Sequence, residues 1–189
     1  MIIKYFPGLQ YHVRAPETLN THGNFQPLVL KLSKNIARQH MIAGYVTTLT
    51  GRIVVTCKTI EECHAIHELI PVSNVIVGKT KDKARTDALF AFHEHNTPII
   101  TTVAMWHLLS FYNDVVDHLV NTTYTIYKDN SDINTVLKLG IDVYHHIVDN
   151  VSINVLIGRF IKFLKKNRVA VEVDASTLKY FEFDPNKKM

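Results

Sequence analysis

Three short β-branched runs constrain the fold more than any other feature: Arg52 to Thr56 (RIVVT), Asn74 to Val77 (NVIV) and Pro98 to Thr102 (PIITT). Each is too brief for a helix, and their continuous apolar character suits strands covered on both faces. The stretches between them are long enough for helices of about twelve residues, so the strands must be joined by right-handed crossovers. The chain is therefore expected to be an α/β domain with a central, mainly parallel sheet and helices on both faces.

Local signals place the helices. Thr59 can cap a helix, with Glu62 three positions on completing a capping box and Ala65, Ile66, Leu69 and Ile70 forming its inner face. Thr80 to His93 predicts the next helix, with Ala84, Ala88, Leu89 and Phe92 turned inward. Upstream, Leu30, Leu32, Ile36, Met41, Ile42 and Val46 recur at helical spacing between Leu28 and Leu49, and Thr50-Gly51 supplies a stop. Ile2 to Phe6 and Leu9 to Val13 flank a Pro7-Gly8 turn signal, which predicts a hairpin or edge extension over residues 1–27. Towards the C-terminus the pattern predicts a strand over His118 to Tyr124 and helical stretches around 133–148 and 152–166. Extended runs follow at Arg168 to Val173 and Leu178 to Phe183, and residues 125–151 read as an insert.

Length bounds the domain count: 189 residues, 47% of them hydrophobic and 20% charged, fit one domain over 1–189. No run approaches the roughly 20 apolar residues of a membrane span, and the N-terminus lacks an export signal, so a cytoplasmic protein without membrane contact is expected. The two cysteines, Cys57 and Cys63, fit no disulfide framework or zinc ribbon and read as reduced, partly buried thiols. The net charge of +4 is compatible with a phosphate backbone, and Arg159, Lys162, Lys165, Lys166 and Arg168 cluster within ten residues. A solvated helix end explains that cluster equally well.

Gly78-Lys79-Thr80 has the form of the tail of a phosphate-binding loop, between a strand and a helix. A complete loop needs a glycine five positions earlier, where Ser73 stands, with β-branched residues between, so successive N–H groups cannot wrap a phosphate. Histidines invite a metal reading, with Cys63, His64 and His67 on one helix, His93 and His95 ending another, and His145-His146 near Asp149. No spacing among them matches a known zinc or metal-hydrolase set. Trp106, Phe111, Tyr112 and Tyr124 read as core, with base stacking as the alternative. No G-x-S-x-G elbow occurs.

Taken in order, four segments resemble the second RecA-like lobe of superfamily 2 helicases. GRIVVTCKTIEECHAI (Gly51 to Ile66) is similar to the motif that opens that lobe, a strand followed by a threonine-capped helix. VIVGKTKDKARTDALFAF (Val75 to Phe92) keeps an R-x-x-x-L-x-x-F spacing at Arg85, Leu89 and Phe92. PIITTVAMWHLLSFYNDV (Pro98 to Val115) resembles the threonine-ended strand that senses nucleic acid, with the next strand from His118 to Tyr124. NVLIGRFIKFLKKNRVAVEV (Asn154 to Val173) resembles the terminal motif in which glycine-arginine opens a helix. Together they span about two thirds of the chain.

The resemblance implies a RecA-like second motor lobe that closes on a separately encoded first lobe carrying the phosphate loop, with ATP and Mg2+ shared between them. It implies Arg159 as the arginine that stabilises charge on the transferred phosphoryl group, Lys162 as a second catalytic cation, and Gly158 with Arg159 at the nucleotide. It also implies that Thr56, Lys58, Gly78, Thr101 and Thr102 contact the backbone of single-stranded DNA or RNA. The chain departs from the family pattern where Val155 replaces a glutamine and Lys162 a second arginine, and bulky residues within LLSFYND replace a glycine and an aspartate. A lysine offers charge without the planar fork of arginine. The expectation is a split or degenerate helicase, of viral type, that cannot turn over ATP alone. The alternatives are a RecA-like binding or scaffold module without catalysis, and a small metal hydrolase.

Overall fold

Strand β2 (Ile53–Cys57) forms at the RIVVT run, and all five of its residues are buried, as a strand covered on both faces requires. The computed structural model describes residues 2–7, 30, 32–109, 116–122, 143–148 and 172–173, and side chains within 30, 32–106 and 116–122. The other described strands are β1 (Ile2–Pro7), β3 (Asn74–Ile76), β4 (Ile99–Thr102), β5 (His118–Asn121), β6 (Val143–Val148) and β7 (Glu172–Val173). They form a seven-stranded sheet in the order β3-β4-β2-β5-β6-β1-β7, and every described pairing is parallel.

Helices α1 (Ile36–Val46), α2 (Ile60–Leu69), α3 (Asp82–His95) and α4 (Val103–Leu109) accompany the strands. The path from β2 to β3 passes β4 in one direction, whereas β3 to β4 and β4 to β5 run back the other way. Right-handed crossovers therefore put α2 on one face and α3 and α4 on the other. One core confirms the first face: Ile42, Ala43 and Val46 of α1, Cys63 and Ile66 of α2 and Ile70 at its C-terminal cap pack with Ile53, Val55 and Cys57 of β2, Ile100 and Val120. Each such fully buried aliphatic side chain contributes about 2 kcal/mol. By alternation, Thr56, Thr101 and Asn121 belong to the opposite face, where α3 brings Leu89 and Phe92 and α4 brings Met105 and Trp106 into the interior.

Caps fix the helix starts. The Asn35 side chain accepts from the Arg38 N–H at 3.1 Å, and Thr59 Oγ1 accepts from the Glu62 N–H at 3.1 Å. Helix α3 begins two residues later than its sequence suggests, after Lys81, and ends at Asn96 in the left-handed region at φ 53°. Among the described residues Gly51, at φ +97°, is the other left-handed position, and a Cβ there would lie 2.7 Å from Asp117 Oδ2. That carboxylate accepts from the Arg52 N–H at 2.8 Å, so the turn into β2 needs glycine.

Several expectations need correction. Ile2–Pro7 is an interior strand with parallel partners on both sides, β6 and β7, and not a hairpin or edge element. The Pro7-Gly8 turn signal obscures pairings made with strands far along the chain. Val143–Val148 is strand β6 and not part of a helix, so the stretch 125–151 supplies a sheet strand. Ala84 faces solvent, and β5 stops at Asn121. Leu9 to Val13, the 152–166 helix and Leu178 to Phe183 lie outside the described residues.

Candidate nucleic-acid interface

In a parallel sheet every strand points its carboxyl end to the same edge, where loops and helix N-termini gather. Here that edge collects Lys58 and Thr59 after β2, Val77 to Thr80 after β3, Thr102 at the end of β4 and Thr122 after β5. Helices α2 and α3 open at the same edge, and Lys79 and Lys81 are exposed there. These lysines stand on the rim beside the exposed acids Glu61 and Asp82, with the N-terminal poles of two helices behind them.

The strand-end threonines have different fates. Thr56 is buried, and its hydroxyl donates to Asn121 Oδ1 at 3.1 Å, the residue beside it in register on β5. Thr101 is wholly buried, and its hydroxyl donates to the Ile76 carbonyl at 2.7 Å. Both hydroxyls thus stitch neighbouring strands together. Thr102, one residue on and on the opposite face, is half-buried at the tip.

The Gly78-Lys79-Thr80 segment is a tight turn, closed by Thr80 N–H donating to the Val77 carbonyl at 2.9 Å and by Val77 N–H donating to Thr80 Oγ1 at 2.9 Å. The amides of Val77 and Thr80 are thereby committed within the turn. Arg85, in the next helix, donates back to the Thr80 carbonyl at 3.4 Å, while Leu89 and Phe92 of the same pattern are buried.

A buried network ties this edge to α1. Arg38 and Glu62, each 1% exposed, form an ion pair at 2.7 Å, and Arg38 also donates to the Thr122 carbonyl. The other Glu62 oxygen accepts from the Lys58 N–H at 2.9 Å, so the capping residue reaches back one position further than the usual box. Thr122 Oγ1 approaches Glu62 at 3.4 Å and donates to the Thr56 carbonyl at 3.0 Å. Burial pushes the Glu62 carboxyl above its ordinary range, outweighing the pull of Arg38 and of the Lys58 N–H in the other direction. Sequence reasoning missed Arg38, although the residue falls four and eight positions before Ile42 and Val46, on the apolar stripe of its helix.

Cys57 and Cys63 are fully buried, and burial first, then the neighbouring Cys63 and Glu62, pushes the Cys57 thiol well above its ordinary value. Ellman's reagent is expected to find no reactive thiol in the native protein and two in denaturant, since the sequence holds two cysteines. Rapid native labelling would contradict this packing. Among the described residues no three His, Cys, Asp or Glu side chains converge as a metal set, and His67 Nδ1 lies 2.9 Å from Ser73 Oγ. Trp106 is 2% exposed, which makes it core. Among the described residues no helix is long and apolar enough to cross a membrane. Gly158, Arg159, Lys162, Phe111, Tyr112, Tyr124 and Asp149 lie outside the described residues, and His145 and His146 lie on β6.

The sequence matches no protein-family model and no curated protein. Its fold does have solved counterparts. The C-terminal domain of the DEAD-box protein Dbp5 superposes with a TM-score of 0.56 at 13% identity, over 78% of this chain and 91% of that one. S. cerevisiae Dbp5 bound to RNA and ADP BeF3 superposes with a TM-score of 0.52 at 15% identity, over 75% of this chain and 39% of that one. At such identities the likeness is one of architecture: parallel strands, helices on both faces, and one edge where the strand tips gather. This chain has the RecA-like fold of a helicase C-terminal lobe.

Proposed function

We propose that the chain serves as the second lobe of a helicase-like motor, holding the backbone of single-stranded DNA or RNA along its strand tips while a separate first lobe binds ATP with Mg2+. The observation that carries this reading is the gathering of Lys58, the exposed Gly78 turn and Thr102 at the carboxyl edge of a RecA-like sheet. The Dbp5 structure of the same architecture is bound to RNA and ADP BeF3. Within the edge, Lys58, Gly78 and Thr102 are the contacts to phosphate, and Thr56 and Thr101 act from behind by holding the strands that present them. The closed turn after β3 does not fit a nucleotide's phosphates, so ATP belongs to the first lobe on this reading. Gly158, Arg159 and Lys162 are this chain's contribution to that nucleotide.

A second reading is favoured by one feature: the internal hydroxyls of Thr56 and Thr101 suit a scaffold module that keeps the fold and grips no polymer. Fluorescence anisotropy with a labelled single-stranded oligonucleotide separates the two. The motor reading expects affinity that falls with salt, and Lys58→Ala is expected to lower the log–log salt slope by about 0.7, the value for one phosphate contact on a single strand. Affinity indifferent to salt, or no binding at all, would refute it.

A further inference from the structure

We propose that Arg38 and Glu62 form a positioning clasp that sets the Lys58 loop against the exit of β5, a role that rests on the reading of the strand tips as a nucleic-acid interface. The argument starts from what the buried pair touches. A buried ion pair carries a large desolvation cost and is a poor device for stability alone, since a well-packed apolar pair does as well or better. This pair is instead directed at backbone groups of the two loops. One Glu62 oxygen takes Arg38 at 2.7 Å, the other takes the Lys58 N–H at 2.9 Å, and the second arm of Arg38 takes the Thr122 carbonyl. Thr122 closes the circuit, with its N–H and its hydroxyl each donating to the Thr56 carbonyl at 3.0 Å. One carboxylate therefore couples α1, the β2–α2 loop and the β5 exit, and the residue it holds directly is Lys58.

Chemistry supplies a selective probe. Glu62 needs acceptors at both ends, whereas glutamine has one acceptor and one donor. In Glu62→Gln, the carbonyl stays with Arg38 and the amide then faces the Lys58 N–H, donor against donor, which releases the loop while keeping side-chain volume. A double-mutant cycle of Glu62→Gln with Lys58→Ala tests the role, read by oligonucleotide affinity and salt slope. Glu62→Gln is expected to weaken binding severalfold and to lower the slope by the same increment as Lys58→Ala, and the double variant is expected to bind like Lys58→Ala alone. Far-UV circular dichroism and Trp106 emission establish that each variant is folded. If Glu62→Gln does not fold, Arg38→Lys enters the same cycle, because a lysine cannot reach Glu62 and the Thr122 carbonyl together. Additive losses, or an unchanged slope in a protein whose wild type binds, overturn the clasp. Absence of wild-type binding sinks the interface reading instead, and the clasp with it.

Discussion

Arg38→Ala is expected to bring the domain close to unfolding at neutral pH. Arg38 and Glu62 are each 1% exposed and 2.7 Å apart, so truncating the arginine leaves a carboxylate inside the protein without its counter-charge. It also leaves the Thr122 carbonyl without that donor. Breaking a buried pair from one side costs about 3–5 kcal/mol, a large part of the 5–15 kcal/mol that holds a typical domain. The pH dependence has a definite sign. Glu62 already takes a proton more readily when folded than when unfolded, and loss of Arg38 widens that difference. Stability is then lost as pH rises from the ordinary glutamate range, about 4, through the raised folded value. Urea midpoints followed by Trp106 emission should show the variant far below wild type at neutral pH and closer to it in acid. Arg38→Met with Glu62→Leu, which removes both charges, should recover most of the loss. A single-variant midpoint equal to wild type at neutral pH would show that the pair is not buried as described.

What the sequence could and could not reveal follows from the range of the interactions. Strands β2, β3 and β4 were readable because a short β-branched run between helix signals has one physical outcome, and Thr59 was readable as a cap because its bond spans three residues. β1 and β6 were not, because their status depends on each other. Ile2 to Pro7 becomes interior only when paired with Val143 to Val148, which are far away in the chain. Val143 to Val148 in turn follows Ile133, Val136 and Leu137, whose helical spacing carries the expectation of a helix on into the strand. The threonines show the same limit at the site. Their positions at strand ends are local facts, but whether a hydroxyl faces a ligand or a neighbour depends on register: Thr56 falls beside Asn121, and Thr101 beside Ile76. Glu62 was legible as a capping residue, while its second function emerged only when Arg38 arrived from α1.

The largest effect on activity is expected from Arg159→Ala in the presence of a first lobe that carries a phosphate loop and metal-binding acids. The chain alone is expected to show no ATP turnover, because the glycine-lysine-threonine turn after β3 closes on itself. With the partner, a guanidinium entering from the second lobe would meet charge that grows on the transferred phosphoryl group, an effect worth about 10³-fold or more in rate. Lys162 softens the loss only slightly, since an ammonium cannot grip two oxygens in one plane as arginine does. Phosphate release measured with and without single-stranded polymer gives the rate, and a pull-down of the first lobe by the same variant shows whether docking survives. A motor lobe loses turnover and keeps docking. A scaffold keeps docking and has no turnover to lose, so partner-dependent ATPase that persists undiminished in Arg159→Ala would remove this residue from the nucleotide. Turnover by the isolated chain would remove the need for a separate first lobe altogether.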